Sequence, residues 1–200
     1  MNPPVSHLLY LHGFRSSPGS AKAQRVAQAV RDLHDAGRAI LWCCPQLPPS
    51  PSEALALIAH LTAGWPADER MGVIGSSLGG WYATVVAEAR HCRAVLLNPA
   101  VDPARDLADQ IGEQVAWHDP QLKFSFTAAH VDELRVLTPP AITHPERYAA
   151  VIAKGDEVLD WQEMTGRYPG ARIRLLEGGD HAISDFEDHL PFVLSHLGLG

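Results

Sequence analysis

Short apolar runs along this chain alternate with longer segments whose apolar residues recur every three or four positions. The run Val5–Leu11 (VSHLLYL) stops at His12-Gly13, as a buried strand ending in a turn does. Ser20–Gly37 then places Ala23, Val26, Val30 and Leu33 on one helical stripe, with Gly37 as its stop. Ala39–Cys43 reads as a second strand. After the proline-rich loop Pro45–Pro51, Ser52 is placed to cap a helix reaching about Leu61, with Glu53 in its first turn. Arg70–Gly75, Arg93–Asn98, Ala149–Lys154 and Ala171–Leu176 read as four more strands. Leu78–Arg90, Val158–Arg167 and Ser184–Leu197 read as helices. Strands that alternate with helices need crossover connections, so the pattern predicts an α/β fold: a mostly parallel six-stranded sheet flanked by helices.

One region breaks the rhythm. Val101–Pro145 carries Pro103, Pro120, Pro139, Pro140 and Pro145 and offers no convincing strand. Two short helices fit its pattern, about Ala104–Gln114 and Ala129–Leu137. A link of this length exceeds what a strand-to-strand connection needs. Open α/β sheets bind ligands beyond the C-terminal ends of their strands. Residues 101–147 are therefore expected to form a lid insertion over that edge, within one domain spanning 1–200.

Composition narrows the partners. The formal net charge is −7 and the pI about 5.8, with no cluster of Lys or Arg, which argues against nucleic acid and anionic membranes. The N-terminal MNPPVSHLLYLHGF lacks a basic leader, and its apolar run is too short for a signal core or a membrane span. Cys43, Cys44 and Cys92 form no CxxC and are odd in number, which fits reduced thiols in a cytoplasmic protein.

The candidate chemistry starts at Gly75-Ser76-Ser77-Leu78-Gly79, which matches G-x-S-x-G with Ser77 as the reactive serine. A sharp strand-to-helix turn strains the nucleophile's backbone and crowds the residues two before and two after it. Around Ser77 these are glycines; around Ser76 they would be Ile74 and Leu78. A phosphate-binding loop would need a lysine where Trp81 follows Gly79-Gly80, and no G-x-G-x-x-G is present, so neither nucleotide cofactor is expected.

A serine hydroxyl needs a base, and the base needs an orienting group. His181 follows the last strand in GGDHAISDFE, and Asp156, Glu157 and Asp160 follow the fifth in KGDEVLDW. The order serine, acid, histidine is that of the α/β-hydrolase fold. Asp156, in the turn immediately past its strand, is preferred to Asp160 and Glu157 as the acid. His12 is read as shaping an oxyanion loop rather than as the base. The backbone N–H groups of Phe14 and Leu78 are the expected oxyanion donors. No spacing of histidines or cysteines suggests a metal.

YLHGFRSSPGSAKA (Tyr10–Ala23), GSSLGGWYAT (Gly75–Thr84), LNPAVDP (Leu97–Pro103), KGDEVLDW (Lys154–Trp161) and GGDHAISDFEDHL (Gly178–Leu190) together resemble the YqiA-like esterases, small bacterial α/β-hydrolase-fold enzymes. The resemblance runs over nearly the whole chain. It implies a hydrolase of carboxylic esters or acyl thioesters with Ser77, Asp156 and His181 as its triad and no cofactor. The expected partner is a small acyl ester or thioester of short-to-medium chain. Trp81, Phe14 and the lid segment are expected to wall its acyl chain. The sequence diverges most around Trp117–His130, and Trp81 stands where tyrosine is expected, so substrate choice stays open. An idle α/β-hydrolase domain serving as a binding module is the rival reading.

Overall fold

The computed structural model describes residues 3–200. Six strands form one all-parallel sheet: β1 (His7–Leu11), β2 (Leu41–Cys43), β3 (Met71–Ser76), β4 (Arg93–Leu97), β7 (Tyr148–Ala153) and β8 (Arg172–Leu176). Their order across the sheet is β2-β1-β3-β4-β7-β8. The missing numbers, β5 (Gly112–Ala116) and β6 (Asp119–Phe126), pair with each other as an antiparallel hairpin outside this sheet.

Helices cover both faces, which is why β3, β4 and β7 are buried from end to end. Alternate residues serve alternate faces. Leu8, Tyr10, Ile74 and Val95 meet α1 (Ala21–Asp35) and α7 (Phe186–His196) through Val26, Val30, Leu190 and Val193. Leu9, Leu11, Val73 and Leu96 meet α2 (Pro51–Leu61), α3 (Leu78–Arg90), α5 (Ala128–Leu137) and α6 (Trp161–Arg167). Among the described residues, no helix is long and apolar enough to cross a membrane.

The order also sets where a site can form. From β1 the chain steps to β2 on one side, then crosses to β3 on the other. Such a reversal opens a crevice at the C-terminal ends of β1 and β3. Leu11 and Gly75 lie opposite each other there, so His12-Gly13-Phe14 and Ser76-Ser77 leave the sheet side by side.

The middle segment corrects the sequence expectation. Where no strand was expected, the β5–β6 hairpin forms. The expected helix Ala104–Gln114 shrinks to α4 (Pro103–Asp106), capped by the Asp102 carboxylate, and a single 3-10 turn at Ala108–Gln110. The hairpin was hidden because apolar alternation is confined to Leu122, Phe124 and Phe126 in β6, and β5 (GEQVA) carries none that marks a partner strand. The expected helix Ala129–Leu137 is present as α5. Its first turn is closed reciprocally by Thr127 and His130.

Two helix starts also move. Ser50, not Ser52, caps α2: its hydroxyl accepts the Glu53 N–H, and Pro51 occupies the first helical position. Asp160 caps α6 by accepting the Gln162 N–H at 2.7 Å, so that helix begins at Trp161 rather than Val158.

Candidate active site

Ser77 stands between β3 and α3 with φ 57° and ψ −123°, a conformation that L-residues avoid. Its N–H donates to Leu97 C=O at 3.0 Å, and its own C=O accepts from Gly80 and Ala100. The framing glycines are needed for separate reasons. A Cβ on Gly75 would lie 2.0 Å from the Gly79 carbonyl oxygen. A Cβ on Gly79 would instead lie 2.0 Å from the Leu11 carbonyl oxygen, because α3 starts hard against the end of β1. Ser76 is buried as the last residue of β3, paired with Leu97.

His181 and Asp156 reach Ser77 from the neighbouring strand ends. His181 Nε2 lies 3.0 Å from Ser77 Oγ, and its Nδ1 lies 2.8 Å from Asp156 Oδ2. The Asp156 side chain is wholly buried, while that of His181 is about one-fifth exposed. Asp156 Oδ1 also accepts the N–H groups of Val158 and Leu159, both at 2.8 Å. With its oxygens thus occupied, the carboxylate is fixed in orientation and fixes the ring: Nδ1 carries the hydrogen, and the Nε2 lone pair faces the serine hydroxyl. The two turns that carry these residues touch, since a Cβ on Gly155 would sit 2.3 Å from Gly179 C=O. The other acids do different work. Asp160 caps α6, and Glu157 Oε2 accepts the His181 N–H at 2.9 Å.

His12 is spent elsewhere. Its Nδ1–H donates to Gly13 C=O at 3.0 Å, and its Nε2 accepts the Leu47 N–H at 3.2 Å. Both ring nitrogens are therefore occupied in the neutral form, and burial lowers its pKa below the usual histidine range. The ring ties the loop after β1 to the loop before α2. That loop presses on Ser77: a Cβ on Gly13 would lie 3.1 Å from Ser77 Cβ. Neither the Phe14 N–H nor the Leu78 N–H finds an acceptor among the described residues. Leu78 opens α3, where the first N–H groups of a helix have no intrahelical partner and the dipole is positive.

Two clefts share Phe14 and Leu78 as wall residues, and one of them holds Ser77. One, of about 480 Å3, is mainly apolar and is lined by Leu47, Pro48, Leu57, Tyr82, Leu122 and Phe124 among others. The other, of about 580 Å3, holds Ser77 and His181 and is edged by Arg15, Arg105, Asp109 and Trp117. The hairpin contributes to both. Phe14 meets Phe124 and Phe126 edge-on, Arg15 C=O accepts the Trp117 N–H, and the Arg15 guanidinium lies 4.0 Å over the Trp117 ring.

Trp81 corrects an expectation. It does not wall either cleft: it is 2% exposed and donates from Nε1 to Thr138 Oγ1 at 2.9 Å, at the end of α5. One residue further along α3 turns about 100°, and it is Tyr82 that faces the apolar cleft. Sequence reasoning also missed Leu47 and Asn98. Leu47 lies in a proline-rich loop without periodicity. Asn98 ends a strand, where a polar residue reads as a simple boundary.

The crossover topology, the serine elbow and the acid and histidine on later strand ends define an α/β-hydrolase fold. Solved structures with the same fold include mouse alpha/beta hydrolase domain-containing protein 10, with a TM-score of 0.69 at 15% identity, covering 98% of this chain and 92% of that one. Est1E from Butyrivibrio proteoclasticus, with ferulic acid bound, superposes at 0.66 and 14% identity, covering 98% and 92%. Tomato methylketone synthase I with 2-tridecanone superposes at 0.64 and 12% identity, covering 98% and 99%. The chain belongs to the Uncharacterised protein family UPF0227, whose model matches residues 7–198.

Proposed function

We propose that the chain is a serine hydrolase of carboxylic esters or acyl thioesters. The reading is carried by the hydrogen-bonded row Ser77 Oγ, His181 Nε2, His181 Nδ1, Asp156 Oδ2, with steps of 3.0 and 2.8 Å. Ser77 attacks the acyl carbonyl as His181 takes its proton, and Asp156 stabilises the imidazolium that forms. The developing oxyanion is held by the Phe14 and Leu78 N–H groups, which cost no reorganisation because both backbones are already fixed. His181 then protonates the leaving alcohol or thiol. Water, activated by the same imidazole, releases the acid and frees Ser77.

The two clefts divide the substrate. A short-to-medium acyl chain fits the apolar cleft, and the leaving group fits the polar one beside Arg15 and Trp117. Residues 101–147 act as the lid, since their hairpin supplies Leu122 and Phe124 to the acyl side and Trp117 to the other. Ferulic acid in Est1E supports a carboxylic acid derivative as the ligand of this fold. Three free cysteines support work in a reducing compartment, the cytoplasm.

Ser77→Ala is expected to cut p-nitrophenyl butyrate hydrolysis by roughly 10^6-fold, whereas Ser76→Ala keeps most of it. A fluorophosphonate probe should label Ser77 in the unaltered protein. Labelling elsewhere, or none, would favour a binding module instead.

A further inference from the structure

Asn98 follows β4, is fully buried and has a left-handed backbone, with φ 42°. Its side-chain oxygen accepts the Ala153 N–H at 2.8 Å. Its side-chain nitrogen donates to Asp180 C=O at 3.0 Å and to His181 C=O at 3.2 Å. Every bond follows a strand end toward a functional group. Ala153 closes β7, and its C=O accepts the Asp156 N–H. Asp180 and His181 form the turn that carries the imidazole. The residue before Asn98, Leu97, holds the Ser77 N–H through its own C=O. The dipeptide Leu97-Asn98 thus touches the backbone at or next to all three groups.

We infer that Asn98 is a positioning residue, whose amide sets the separation of the Asp156 and His181 turns and so holds the imidazole between acid and serine. The inference rests on the hydrolase reading above. An amide is the side chain that meets this demand. It offers one acceptor to an N–H and two donors to two carbonyls, and all are in use. A carboxylate of the same shape would turn an oxygen toward two carbonyl oxygens. Another support of the histidine turn, Glu157 on the His181 N–H, lies near solvent, where water can replace it. Asn98, at 0% exposure, has no such substitute, and an unmet amide or carbonyl there is costly.

The test uses Asn98→Gly, which keeps the left-handed backbone without strain, and Asn98→Asp, which keeps the bond to Ala153. Each is assayed below its own melting temperature, as monitored by circular dichroism. The expected result is a fall in kcat of roughly 10- to 100-fold, because small misplacements of reacting groups cost that much, with KM little changed. The pH midpoint of kcat/KM should also move, since it reports the imidazole's surroundings. In a His181→Ala background, Asn98→Gly should leave the residual rate of fluorophosphonate labelling unchanged, because there is no imidazole left to position. Folded variants that keep full kcat, or an equal loss in both backgrounds, would overturn the inference while leaving the serine mechanism intact. Hydrolysis surviving Ser77→Ala would overturn both.

Discussion

Gly75 and Gly79 do different jobs within one motif. Gly75 lets the chain fold back on Gly79, and Gly79 lets α3 rest on the carbonyl of Leu11. Neither neighbour can retreat, because both are backbone. Gly75→Ala and Gly79→Ala should each destabilise the protein by about 3 kcal/mol or more, at or beyond the upper range for overpacking. Gly64→Ala, whose added methyl would meet nothing within 4 Å, should stay within about 0.5 kcal/mol of the unaltered protein. Urea titration of the three variants checks the contrast; equal losses at Gly64 and Gly79 would refute it. The spacing of these glycines made Ser77 legible from sequence. His12 was legible as a loop residue, but not its partner Leu47, 35 positions away.

Among the elements, the six sheet strands could be read because each is a short, mostly apolar run bounded by turn residues, although only β3, β4 and β7 are buried from end to end. Helix starts could be read only to within a few residues, since Ser50 and Ser52 differ in what surrounds them rather than in type. The Ser50 hydroxyl also donates to Glu133 Oε2 at 2.8 Å, a partner on α5 that sequence proximity does not reveal. The β5–β6 hairpin was illegible for the same reason: its apolar contacts are to Phe14, about 110 residues earlier in the chain. That contact shapes the apolar cleft, to which α2 contributes Leu57. Leu57→Trp should narrow the cleft and lower the kcat/KM ratio of octanoyl to butyryl esters by roughly tenfold, the scale of a lost methylene contact or two. An unchanged ratio across a graded series of p-nitrophenyl esters would show that the chain lies elsewhere.

For the whole molecule, burial of ionisable groups on both faces of the sheet couples stability to pH. Burial pushes the Cys44 and Cys92 thiols up to about 12. Above pH 9 the unfolded thiols ionise while the folded ones stay neutral, so the unfolded state binds fewer protons and stability falls as pH rises. Lys22 acts in the opposite sense. Burial lowers it to about 8, so between pH 8 and its ordinary value near 10.5 the unfolded state binds more protons and stability rises. Unfolding free energy should therefore climb just above pH 8 and turn over above pH 9. Lys22→Met should remove the climb, and Cys92→Ala should soften the fall. Chemical denaturation at a series of pH values checks both, and a Lys22→Met profile that still climbs would contradict the assignment.

The strained backbone at Ser77 has one more consequence. The direction in which its side chain points is stored in the main chain, through the two glycines and the Leu97 carbonyl, and not in the hydroxyl. Aim and reactivity are therefore separable properties of this position. A thiol introduced as Ser77→Cys would inherit the same direction, facing the same His181 imidazole. The fold supplies a mount, and the residue placed on it decides which side-chain group is presented.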